Sequence, residues 1–154
     1  MKNMEELIEH HRNFAEKVIK ANRGFGPQIV ISVKNEIMPF LIVGDTDRYT
    51  IKTVLDKIDK LKSNADWIII MQEAYSRTCR NKEAVEQFAG TLEEKYLAGD
   101  TEVKWVFSMQ AYFKDSETKK FIKRMVVYEI TKGTLEFTKI WDDDNFEGYL
   151  TLDV

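Results

Sequence analysis

The chain is short of the residues that break or brace a fold. It has one cysteine, Cys79, in 154 residues. A lone thiol excludes an internal disulfide framework and any cysteine-based zinc site. Two prolines and seven glycines exclude collagen-like, linker-like and low-complexity chains. Long apolar runs are missing. Trp67-Ile68-Ile69-Ile70-Met71 falls far short of the ~20 residues that span a bilayer. Neither sign of charge dominates: 23 Lys and Arg are interspersed with 26 Asp and Glu, for a formal net charge of −3. A nucleic-acid binder usually carries a basic stripe, so there is no strong nucleic-acid signal. Met1 to Glu9 holds no apolar stretch of the signal-peptide kind, and the last four residues hold no lipidation cysteine. The expectation is a cytoplasmic protein without a membrane role.

What is present is ordinary globular material, 44% hydrophobic and 32% charged, enough to build a core. The length suits one domain over residues 1–154. Met4, Leu7, Ile8, Phe14, Ala15, Val18 and Ile19 recur at helical spacing and predict a helix from Asn3 to Arg23. Asn3 can cap it, Glu6 can bond back toward the cap, and Gly24, Gly26 and Pro27 stop it. Two β-branched runs follow, Gln28–Lys34 and Glu36–Val43, with Lys34-Asn35 between them as a tight turn. Pro39 has no N–H to give to a ladder, so the second run belongs at an edge or a bulge.

Ile51, Val54, Leu55, Ile58 and Leu61 predict a second, strongly amphipathic helix after the Gly44-Asp45-Thr46-Asp47 break. Trp67–Ala74 reads as a buried strand. A third helix is expected from Lys82 to Leu97, capped by Asn81 and ended by Gly99. The last third changes to period two, predicting strands over Val103–Phe113, Phe121–Ile130 and Leu135–Trp141, with a tight turn at Thr131-Lys132-Gly133-Thr134. The order α-β-β-α-β-α-β-β-β describes an α+β fold: a largely antiparallel or mixed sheet with packed helices. The strand–helix–strand crossing would set one strand parallel to another. The opening helix, hairpin, helix and strand are similar in order to the zinc deaminases and the metalloprotease-like isopeptidases. The deaminase signature of His or Cys, Glu and Cys-x-x-Cys is absent, so no metal chemistry is carried over.

The densest group of reactive side chains follows the third strand: Glu73, Tyr75, Ser76, Arg77, Cys79 and Arg80. Glu73 has the chemistry of a general base, and Arg77 and Arg80 that of an anion clamp. Glu73, Tyr75, Arg77 and Arg80 are the candidate ligand-binding residues, although a solvated Arg–Glu network explains the same residues more simply. Cys79 sits between two arginines that can lower its pKa, yet no cysteine-enzyme motif surrounds it. His10 and His11 point about 100° apart on a helix and form no i, i+4 chelating pair. His11 belongs to the apolar stripe and reads as a satisfied, partly buried histidine. Asp142, Asp143, Asp144 and Glu147 do not meet the calcium-loop pattern. No metal and no cofactor is expected. Trp67, Trp105, Trp141, Tyr75, Tyr112, Tyr128 and Tyr149 are read as core or interface aromatics.

Two functions are therefore expected. The first is a small soluble module acting through protein–protein contact, by self-association or with a protein partner. It rests on strands apolar on both faces and on Trp141, Phe146, Tyr149, Leu150 and Leu152 near the carboxyl end. The alternative is a small enzyme or anionic-ligand binder using the Glu73–Arg80 loop.

Overall fold

The protein is described from a computed structural model. It describes residues 2–21, 25–41, 53, 56, 61, 63–77, 92–144 and 146, with the backbone alone at 40, 41, 77 and 93. The elements are α1 (Met4–Lys20), β1 (Gln28–Val33), β2 (Glu36–Leu41), β3 (Trp67–Arg77), α2 (Leu92–Leu97), β4 (Val103–Lys114), β5 (Phe121–Ile130) and β6 (Phe137–Asp143). The six strands form one sheet in the order β2-β1-β3-β4-β5-β6. Every neighbouring pair is antiparallel. This is an α+β chain in which sheet predominates.

The parallel pairing expected from the strand–helix–strand crossing does not occur among the described strands. β2 and β3 run in the same direction, but β1 lies between them and is antiparallel to both. β1 pairs with β2 along one edge and with β3 along the other. The second helix, expected over Ile51, Val54, Leu55 and Ile58, lies outside the described residues, as does the start of the third at Lys82. Within that stretch Thr53, Asp56, Leu61 and Ser63 are helical. The end of the third helix is α2, closed by Gly99 at φ 92°, whose N–H donates to Tyr96 O at 3.1 Å. Positive φ is the conformation glycine adopts most readily.

Local signals explain the other boundaries. The Asn3 side chain caps α1 by accepting from Glu6 N at 2.8 Å. The Glu6 carboxylate reaches one residue further back than expected, to Lys2 N at 2.8 Å. α1 ends at Lys20, three residues before the expected end at Arg23, with Ala21 as its cap. Lys34 and Asn35 form the β1–β2 turn with φ 50° and 66°, the left-handed pair that matches strand twist. Pro39 stands on the outermost strand opposite Val30, where its missing donor costs the ladder nothing. The β5–β6 turn is longer than expected. Gly133 and Leu135 both take positive φ, 97° and 53°. Thr131 N donates to Glu136 O at 3.0 Å and Leu135 N to Thr131 O at 2.8 Å. Leu135, expected to open the strand, instead packs on the core from the turn.

The sheet buries apolar side chains on both faces. On one face Leu7, Ile8, Ala15 and Ile19 of α1 meet Val30, Ile69, Met71, Phe107, Met109, Val126, Tyr128 and Ile130. On the other, Ile29, Ile31, Ile68, Ile70, Tyr112 and Phe121 gather with Ala65, Leu61 and Phe146. The alternation of Trp67, Ile69, Met71 with Ile68, Ile70 along β3 feeds both cores, as expected for a central strand covered on each side.

Candidate functional site

β3 runs three residues beyond its expected end, to Arg77. Its far third is held by β4, with Glu73 opposite Phe107 and Tyr75 opposite Trp105. Glu73 and Tyr75 therefore stand on the sheet, two and four residues beyond Met71 on the face covered by α1, and not on a loop. The Glu73 carboxylate is engaged at both oxygens. Trp105 Nε1 donates to Oε1 at 2.8 Å, and Phe25 N donates to Oε2 at 3.2 Å. The carboxylate thus ties the buried residue after α1 to the sheet. The Tyr75 ring meets Tyr96 of α2 at 5.3 Å between centroids. The Arg77 side chain, Cys79 and Arg80 lie outside the described residues, so the structure joins Glu73 to Trp105 and Tyr75 to Tyr96 and does not reach the arginines.

His11 is 5% exposed and lies edge-on to Trp67 at 5.3 Å and to His10 at 5.1 Å. Its Nδ1 lies 2.8 Å from Leu7 O. A carbonyl only accepts, so Nδ1 carries the proton and donates, which leaves Nε2 as the lone-pair nitrogen of the neutral ring. Burial pushes the His11 pKa down and outweighs the opposing pull of the Leu7 carbonyl. Desolvation disfavours the charged imidazolium.

Two polar cavities were not foreseen from the sequence. One, of about 340 Å³, opens at the β1–β2 turn among Ser32, Asn35, Asp66, Trp67, Phe113 and Lys119. Asp66 organises it: Oδ2 accepts from Asn35 N at 3.2 Å and Ser32 Oγ at 3.5 Å, while its backbone bonds Ser32 O and Lys114 N. The other, of about 620 Å³, lies beside the start of α1 between Glu5, Arg124 and Asp142 to Asp144. There Arg124 grips Asp142 with two 2.6 Å bonds and also contacts Glu5. Arg124 holds the Asp142 carboxyl down at about 2, and the two carboxylates raise the guanidinium pKa in turn. The acidic run Asp142 to Asp144 is thus partly neutralised from β5, a long-range pairing that no local spacing displays. Asn145 and Glu147 lie outside the described residues. Among the described residues, no three His, Cys, Asp or Glu side chains are grouped to hold a metal ion.

The outer edge of the sheet is β6. Its interior end, Phe137, is buried, while Ile140 and Trp141 are 43% and 52% exposed. A bulge separates them in register: Lys139 pairs with Tyr128 and Trp141 with Val127, so Ile140 is the extra residue. Lys139 and Asp142 consequently share one face, opposite Tyr128 and Val126, and form an ion pair at 3.2 Å. The sequence pointed to Trp141 as apolar surface needing cover. Phe146, named with it, is instead buried against Tyr112 on the inner face. Tyr149 lies outside the described residues.

Among the described residues no helix is long and apolar enough to cross a membrane. Comparison with family models, curated proteins and solved structures finds no match to the chain.

Proposed function

We propose that this protein is an interaction module that self-associates by pairing β6 with β6 of a second copy. The observation that carries the reading is an edge strand with no second neighbour among the described strands, on which the exposed Ile140 and Trp141 stand side by side. An uncovered strand edge presents unpaired N–H and C=O groups to any other strand, and exposed large apolar groups on it reward cover. The opposite edge, β2, is interrupted by Pro39, which makes it the poorer ladder partner.

The side chains of β6 suit its own copy. In an antiparallel pair related by a two-fold axis, Ile140 placed opposite Trp141 brings Lys139 opposite Asp142. Each pair then occurs twice. The bulge that places Lys139 and Asp142 on one face allows this register, which an unbulged strand would not. Bulges and charges normally discourage edge pairing. Here the same devices reject a generic strand and accept the self-complementary one. An aromatic–aliphatic pair and an opposite-charge pair across strands contribute roughly 0.2–1 kcal/mol each.

Amide hydrogen exchange tests the reading. The outward amides of β6 should exchange more slowly at high protein concentration than after dilution, while those of β2 stay unchanged. Exchange independent of concentration along β6 would reject it. The alternative, an anion-binding or catalytic site at Glu73–Arg80, has less support, because both Glu73 oxygens already hold protein donors.

A further inference from the structure

Between α1 and the β2 side of the sheet lies a cavity of about 180 Å³, lined by His11, Phe14, Gln28, Val30, Pro39 and Met71, with exposed His10 at its rim. Four of these six walls are apolar. An enclosed cavity of about 150 Å³ holds benzene, so this more open one, bounded by the half-exposed Phe14, has room for a single aromatic ring. It also contains unused hydrogen-bonding capacity. His11 Nδ1–H is spent on Leu7 O, and Nε2 bonds to no described residue. No buried side-chain nitrogen or oxygen among the described residues is both sealed from solvent and unpartnered. Nε2 is therefore reached by solvent, although the residue as a whole is 95% covered. His11 lines this cavity, and the ligand proposed for it takes the cavity as the way in to Nε2. The Gln28 amide, on the facing strand, likewise bonds to no described residue.

Solvent is the donor that this nitrogen has, and a ligand hydroxyl entering the cavity would take the place of that solvent. The ring's neutral state, favoured by burial, keeps the Nε2 lone pair available. The wall opposite is not charged: Gln28, Val30, Pro39 and Met71 carry no titratable group. An anion or a cation would find no counter-charge there, whereas a neutral ring with one hydroxyl would find both apolar contact and an acceptor. We propose that this cavity binds a simple phenol, its ring against Phe14, Val30 and Met71 and its hydroxyl donating to His11 Nε2. The Gln28 amide is placed on the same cavity wall and can donate to the phenol oxygen.

Phenol and toluene differ by a hydroxyl in place of a methyl group and are nearly the same size, so the pair isolates the hydrogen bond. Each is titrated into protein labelled with ¹⁵N-histidine, and the imidazole resonances of His11 and His10 are followed. Phenol should saturate, move the His11 Nε2 resonance and leave Nδ1 nearly in place. It should bind about tenfold more tightly than toluene, the worth of one net hydrogen bond. In His11→Phe the preference for phenol should vanish or turn to toluene, whose methyl group loses no hydrogen bond to water. Should that variant fail to fold, the wild-type ¹⁵N shift decides alone. Equal binding of phenol and toluene to the wild type, a His11 Nε2 resonance unmoved at phenol saturation, or no binding of either ligand would each overturn the proposal.

Discussion

Trp105 Nε1 donates to Glu73 Oε1 at 2.8 Å across the β3–β4 ladder, a diagonal contact, since Trp105 is paired with Tyr75 two residues further along β3. The other carboxylate oxygen receives Phe25 N, from the segment between α1 and β1. A residue with the chemistry of a general base is thus a three-way fastener. It fixes an indole on β4 and a backbone amide beside a buried phenylalanine.

Glu73→Ala should accordingly destabilise the fold. It leaves two part-buried donors without an acceptor, at about 1–3 kcal/mol for each donor so exposed. Glu73→Gln retains one acceptor oxygen and should lose less. Urea denaturation of the two variants checks this. If Glu73→Ala unfolds at the wild-type midpoint, the fastening role is wrong and the carboxylate is free for other work.

Phe107 sits at the centre of the α1-side core, fully buried, with Phe25 at 5.2 Å and Phe137 at 5.6 Å between ring centroids. Phe107→Ala should cost about 3–5 kcal/mol, the usual loss for deleting a buried aromatic ring. Ile140→Ala, on the exposed edge, should change the stability of the monomer by less than about 0.5 kcal/mol. Thermal unfolding at low protein concentration compares the two.

The fold was legible where local rules act alone. Asn3, the Lys34-Asn35 turn, Pro39 at an edge and Gly99 after α2 each announced themselves by a conformational need peculiar to that residue type. Strand order was less legible, because the direction of β3 depends on which side of the hairpin it joins, and nothing within β3 records that choice. Local composition puts the end of β3 at Ala74, three residues short of Arg77, for a similar reason. Glu73, Ser76 and Arg77 look like loop residues until Val103 to Phe107 are seen to pair with them. Tertiary pairing overrides a weak local preference. Asp66 and the Arg124–Asp142 pair were invisible for the same cause, their partners being distant in sequence.

The Arg124–Asp142 pair gives an acid signature. Asp142 is held at about 2 by Arg124, below the ordinary aspartate value near 3.9. A carboxylate with a depressed folded-state pKa contributes stability that is present above the unfolded value and lost as pH falls through the folded one. The contribution should therefore disappear between about pH 4 and pH 2. Asp142→Asn should flatten the dependence of stability on pH in that window. Parallel curves for wild type and variant would show that the pair carries no linkage.

His11 gives a second signature at milder pH. Burial lowers its pKa, so the unfolded chain takes up a proton at His11 more readily than the folded one. Stability from this group is fully present above the unfolded value near 6.5 and declines as pH falls below it. The melting temperature should drop between pH 7 and pH 5, and His11→Gln should reduce that drop. An unchanged drop in the variant would assign the effect to other groups.

Association through β6 can be read from sedimentation equilibrium of the wild type beside Trp141→Asp. The wild type should show a reversible, concentration-dependent shift from the 18.1 kDa chain to a dimer. Trp141→Asp, which puts a like charge beside Asp142 and removes the ring, should stay monomeric with its fold intact. A wild type that remains monomeric at every concentration, or a variant that dimerises as the wild type does, would contradict the account.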